Sequence, residues 1–443
     1  MANTYLTRTP SSAGDRKTWT WSAWIKRSTI AVATPAVTLF GAKEGGFPEI
    51  LSFASDDTLV WKHDISGTDY LLTVSNRLFR DTNAWYHIVL TRDTTQSTTS
   101  DRVKIYINGE QQTLTASQLG FPGQNYEGAV NNNVTHTIGN WEGNSYYFNG
   151  SMSHIHFIDG TAYDASAFGS TDSVTGEWKI NTSPSVTYGT NGFFILKDGN
   201  SVTDQSGNSN NFTVGGGTLT NTEDNPSNVF ATLNPLNNYY ASSTFSQGNN
   251  TLVTHAGNYT WNTATLGFQT GKWYWENKIV TEANSDMFGI TGRTNSMDIH
   301  NKLGQFADTY GFNSNTGVML NNNSNTSYTS AFNTDGTIVQ IAVDMTNLKI
   351  HLGLNGVWQN SSNPSNNTGG FTIGAISTTT DGVYFPAIGD YSVNQGTYNT
   401  NFGNGYFGTT AVSTAGTNAS GNGIFEYDVP TGFTALSTKG LNL

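Results

Sequence analysis

The chain has 443 residues, enough for two or three domains of ordinary size. Charged residues make up 12% of it, about half the roughly 25% usual in globular proteins, while aromatics reach 12% and hydrophobic residues 36%, a balance that favours packed cores over disorder. A net charge of -12 with no cluster of Lys and Arg argues against a nucleic-acid groove, and the lack of cysteine excludes disulfides, thiolate chemistry and Cys-ligated zinc.

The first 17 residues are polar, without the apolar stretch of a signal peptide. No apolar run approaches the roughly 18 residues that span a bilayer, so no membrane insertion is expected. Short alternation bounded by Gly, Asn, Asp or Pro then recurs along the chain, which signals strands and turns. Residues 18–25 place Trp19, Trp21 and Ala23 on one face. Residues 85–90 and 103–107 form further strands, the second running into Asn108-Gly109, a dipeptide suited to a tight hairpin that returns through Gln111 to Leu114.

Residues 221–236 carry two prolines, many Asn and no alternation, which marks a linker. Beyond it, a strand opens at 271–276 and runs to Val280, and 337–343 pairs with 348–354 in a hairpin that again ends in Asn355-Gly356. The expected fold is all-β, with two antiparallel β-sandwiches of jelly-roll or concanavalin-like type in tandem: 1–225, a linker 226–236, and 237–443.

Several segments carry a resemblance: Tyr5-Leu6-Thr7-Arg8-Thr9-Pro10, Trp85-Tyr86-His87-Ile88-Val89, residues 102–109, His156-Phe157-Ile158-Asp159-Gly160 and Gly176-Glu177-Trp178-Lys179. In this order they resemble the laminin-G/concanavalin-A-like lectin modules of marine phage genomes. The second half is similar to the SPRY domain through residues 271–276, Phe288-Gly289-Ile290, Tyr310-Gly311, residues 339–356, Tyr384-Phe385-Pro386-Ala387 and Asn401-Phe402-Gly403. The resemblance implies a virion surface protein, a fibre or spike adhesin or a capsid decoration, made in the host cytoplasm. Its partners would be other virion proteins and host-surface polysaccharide, and its oligomer a homotrimer. A purely structural virion role and a polysaccharide depolymerase are the alternatives.

Sugar binding calls for flat rings beside amides. In residues 140–147 the ligand candidates are Trp141, Asn144, Tyr146 and Tyr147, with Trp61 and Tyr70 as a second pair. The strand tryptophans read as core. Residues 291–301 and 313–327 are the loops that a SPRY-like module would use. Asp204, Ser206 and Asn208 alternate oxygen-bearing side chains, but glycine stands fourth instead of sixth and Gly215 replaces the bidentate Glu of an EF-hand. Lectin-like sandwiches hold calcium with such loop residues, so these three are the calcium candidates, against an Asx-turn network; no other cofactor is expected. His154 and His156 share a strand face if alternation holds. No E-x-D-x-x-E pattern, G-x-S-x-G or H-E-x-x-H occurs, and Glu276, Glu282 and Asp286 are a poor approximation to a glycosidase pair, so no catalysis is expected.

Overall fold

The computed structural model describes residues 3–30, 37–141, 146–197, 201–294 and 301–441. It is all-β and divides into two compact units, Met1–Asn221 and Thr222–Leu443.

In the first unit the described residues form two large antiparallel sheets. One runs, in spatial order, Leu114–Gln118, Thr68–Val74, Leu59–Ile65, Phe47–Phe53, Val37–Glu44, His136–Ile138, Tyr5–Arg8 and Thr213–Gly216. The other runs Phe193–Ile195, Gly150–Asp159, Thr18–Arg27, Trp85–Asp93, Val103–Ile107 and Glu110–Gln111. The two inner faces interleave in one core, where Trp19, Trp21, Ala23 and Ile25 meet Phe40, Phe53, Trp61 and Leu72. Trp19 and Trp21 are fully buried, so truncating either to Ala costs about 3–5 kcal/mol.

The Asn108-Gly109 turn has φ of 48° and 86°, the paired positive values of a type I′ hairpin. Its return strand is shorter than expected. Glu110–Gln111 pairs for two residues, and Leu114–Gln118 then joins the opposite sheet beside Thr68–Val74.

In the second unit one sheet runs Leu233–Tyr239, Thr260–Ala264, Phe385–Asp390, Asp286–Thr291, Thr309–Asn313, Val318–Asn321 and Ser324–Ser327. The other is centred on Lys272–Thr281, flanked by Thr397–Asn401 and Ile338–Asp344. Residues 226–236, expected as a linker, are built into this unit. Phe230 is buried beside Tyr274 and Phe425, and Ala231 and Leu233 enter the main core. The prolines that suggested a break are tolerated because Pro235 lies where the register of the outermost strand shifts.

Candidate functional site

The rim of the first unit forms where His136–Ile138 ends. Gly139 has φ +85° and a Cβ there would lie 3.3 Å from the Thr4 carbonyl, so the turn needs glycine. Gly139 N–H donates to Leu39 O (2.9 Å), Phe148 N–H to Gly139 O (2.8 Å) and Thr38 N–H to Tyr146 O (3.1 Å). Both ends of the 140–147 segment are thereby pinned to Val37–Glu44. Trp141 and Tyr146 pack with ring centroids 5.0 Å apart at 36°, and Tyr147 meets Tyr5 at 6.0 Å and 47°. Tyr5 lies against the glycine backbone of Thr213–Gly216: a Cβ on Gly215 would fall 2.3 Å from its Cε2. All four rings are half-buried. Asn144, the remaining candidate of this segment, lies outside the described residues.

Unpaired polar atoms concentrate here. Asn140 is fully buried, and neither Oδ1 nor Nδ2 has a hydrogen-bond partner; Trp141 Nε1 and Thr38 Oγ1 are in the same condition. Each such group costs about 1–3 kcal/mol, so a cluster of them in one corner requires an explanation. Sequence reasoning singled out the rings but missed Asn140 and Thr38, whose burial depends on long-range pairing.

Trp61 does not belong to a site. It is 1% exposed, paired between Leu51 and Leu72, and part of the core. Tyr70 stays half-buried with its ring edge-on to Tyr126 at 4.9 Å, and Tyr126 in turn hydrogen-bonds His63 Nδ1 at 3.2 Å. Beneath them lies an ion pair with no sequence signature. Arg92 Nη1 donates to Glu49 Oε1 at 2.7 Å across the two sheets, both side chains at 0% exposure. Arg92 Nη2 also holds Tyr126 O (2.9 Å), and Val130 N–H donates to Glu49 Oε2 (2.9 Å), fixing the 126–130 loop. Burial opposes ionisation of Glu49, but Arg92, His63 and the Val130 N–H outweigh it and hold its pKa below the usual value.

The calcium candidates are otherwise engaged. Asp204 Oδ1 accepts from Phe194 N–H (2.8 Å) and Ser206 N–H (2.9 Å), and Oδ2 from Ser206 Oγ (2.8 Å) and Asn210 N–H (2.9 Å). Four donors use the carboxylate's four acceptor positions. Asn208 Nδ2 caps Gly189 O (2.7 Å) and Gly192 O (3.0 Å). The segment is thus an Asx network that fastens two loops. Among the described residues no group of three or more His, Asp or Glu side chains is arranged to hold a metal.

The expected common strand face of His154 and His156 is not formed, although both histidines are hydrogen-bonded. A bulge between Ser153 and His156, with His154 at φ +48°, breaks the alternation on which it depended. His156 stacks on Phe194 at 3.9 Å and bonds the Tyr188 hydroxyl at 2.9 Å, while His154 Nδ1 meets Ser153 Oγ at 2.8 Å. Nearby, Trp178 Nε1 donates to His87 Nδ1 (3.0 Å), so His87 Nε2 carries the proton and donates to Ser22 Oγ (2.9 Å). Burial lowers the His87 pKa to about 3, leaving it a neutral structural bridge.

In the second unit the expected loop 313–327 is largely a hairpin, Val318–Asn321 with Ser324–Ser327, at a sheet edge. Of 291–301, residues 295–300 lie outside the described residues; Arg293 is held by Asp308 at 2.8 Å. Glu276 accepts from the Tyr274 hydroxyl (2.8 Å) and from Glu426 and Tyr427 N–H (2.9 Å each), clamping the C-terminal segment. Asp286 instead reaches Tyr398 in the core, so Glu276 and Asp286 form no catalytic pair.

Residues 2–166 match the family described as the concanavalin A-like lectin/glucanases superfamily, Laminin_G_3. No curated protein matches. Similar solved structures include the SPRY domain of human HERC1 (18% identity, 38% of this chain and 96% of that one, TM-score 0.30). A heptameric SAP-like pentraxin from Limulus polyphemus is 15% identical over 37% of this chain and 72% of its own, TM-score 0.28. A candidate carbohydrate binding protein from Bacteroides ovatus is 21% identical over 49% of this chain and 57% of its own, TM-score 0.29. Over residues 2–166 the chain is thus similar to the concanavalin A-like lectin family, in keeping with the two-sheet, all-β architecture of the first unit.

Proposed function

We propose that the protein is a non-enzymatic recognition protein whose first unit binds glycan through the rim of Tyr5, Trp141, Tyr146 and Tyr147. The observation that carries this reading is the gathering of four half-buried rings at one corner, Trp141 against Tyr146 at 5.0 Å and Tyr147 against Tyr5 at 6.0 Å. Aromatic faces cover the apolar side of a sugar ring.

Binding is favoured over hydrolysis because the acids that approach the core of this unit are committed. Glu49 is held by Arg92 and Val130, and Asp204 by four donors. Asp159 accepts from Asp15 N–H, Asn131 Nδ2 and Asn191 N–H. None offers the free acid and nucleophile that glycoside cleavage needs.

The resemblance of the sequence to marine phage modules supports a place on a virion surface. There a homotrimer would present several weak sites together to host-surface polysaccharide, beside neighbouring virion proteins. Electrophoresis of the intact chain through gels containing bacterial lipopolysaccharide or capsular polysaccharide tests the reading. Retardation that disappears in Trp141→Ala, without release of reducing ends, is expected. Unaltered mobility in every gel contradicts glycan binding, and release of reducing ends contradicts the non-enzymatic assignment.

A further inference from the structure

Four stretches of chain meet at the rim of the first unit. Thr4 Oγ1 donates to Thr218 O (2.9 Å), and Tyr5 packs on the Gly215 backbone. Thr38 N–H donates to Tyr146 O (3.1 Å) and Ser28 N–H to Asn149 O (3.0 Å). In the sequence these stretches are 3–7, 28–42, 137–150 and 211–221, and they hold a single charged side chain, that of Glu142. Their other polar side chains are the hydroxyls of Thr, Ser and Tyr, the amides of Asn and the indole of Trp141.

The cations that flank these stretches are committed elsewhere or stand off. Arg27, next to Ser28, is fully buried with Nη2 on Asp57 Oδ1 (3.0 Å), and Arg80 Nε holds the other oxygen of that carboxylate (3.0 Å). Arg8 and Lys43 lie down their strands from Tyr5 and Thr38, by about 10 Å and 16 Å at 3.3 Å per residue. Those distances reach or exceed the roughly 8–10 Å over which exposed charges act in physiological salt. Arg8 is moreover turned onto Asn210 and feels the Asp204 carboxylate. The chain as a whole carries a net charge of -12.

We infer that the rim selects uncharged polysaccharide, built of neutral hexopyranoses, and rejects chains that carry uronate, sialate, sulfate or phosphate. This rests on the glycan reading of the rim and adds the chemical class of its ligand. An anionic group brought to this corner loses water and finds no cation to replace it. The faces of the four rings carry negative quadrupole charge, which attracts the C–H face of a pyranose and repels an anion. Neutral hydroxyls find donors and acceptors among the Thr, Ser and Asn side chains. Affinity built from ring faces and neutral hydrogen bonds has no ion pair for salt to screen.

The test is a panel of bacterial capsular polysaccharides and of O-polysaccharides freed of lipid A and core, divided into a neutral and an acid-bearing set. The intact chain and Trp141→Ala are titrated with each at 20 and at 500 mM NaCl. Wild type should bind members of the neutral set alone, with an affinity that changes less than about threefold between the two salts. That binding should be lost in Trp141→Ala. Binding to the acid-bearing set, or a larger fall at high salt, overturns the inference while leaving glycan recognition by the rim in place. Silence across both sets, or neutral binding that survives in Trp141→Ala, overturns the glycan reading of the rim and this inference with it.

Discussion

Trp141 packs on Tyr146 at 5.0 Å while the neighbouring Asn140 amide, fully buried, bonds nothing. The rings are the part of this corner on which the proposed glycan binding rests. Function and stability therefore divide between the tryptophans of the first unit. Trp141→Ala should reduce glycan affinity more than about tenfold with little change in unfolding temperature, whereas Trp61→Ala should cost about 3–5 kcal/mol. Urea denaturation and binding measured on the same two variants check the division.

The buried Arg92–Glu49 pair makes a second prediction. Removing one partner strands the other charge in the core, so Arg92→Met or Glu49→Gln should destabilise the first unit by about 3–5 kcal/mol. The double variant should recover part of that loss. Denaturant midpoints across the four-member cycle measure the coupling.

Acidity should affect the second unit in an unusual direction. Burial raises Glu276 to about 7 from 4.5 and Asp390 to about 7 from 3.8. Between those limits the folded state holds more protons than the unfolded chain, so stability is greatest below about pH 4 to 4.5 and falls as pH rises toward 7. Above that it levels off. Melting in EDTA from pH 4.5 to 8 should show this fall for the second unit, and Glu276→Gln should flatten it. A stability rising across that range contradicts the assignment.

The Asp204 network predicts indifference to chelation. Its carboxylate already satisfies four donors, so EDTA should leave the unfolding of the first unit unchanged. Asp204→Ala should still lower it, by about 1–3 kcal/mol for each donor left buried without a partner.

Much of this was legible in the sequence because it is local. Alternation placed Trp19, Trp21 and Ala23 in the core, and Asn108-Gly109 and Asn355-Gly356 marked type I′ turns confirmed by their positive φ. What depends on pairing at long range was not. A bulge no pattern reveals separated His154 from His156, and the Glu49–Arg92 contact spans 43 positions. The Asn and Pro of 226–236 read as a break because the strands that accept them come later in the chain. Trp61 was misread for the same reason: one ring in a half-polar strand gives no sign of which face the second sheet covers. The rim residues Trp141, Tyr146 and Tyr147 were legible as rings, but the corner that leaves Asn140 unpaired required the folded chain.

The most direct test of glycan recognition is a glycan array probed with the intact wild-type chain and with Trp141→Ala, both confirmed folded by circular dichroism. The account predicts wild-type binding to one or a few bacterial polysaccharides and its loss in the variant. Undiminished binding by Trp141→Ala, or a wild type silent on every bacterial polysaccharide, would contradict it.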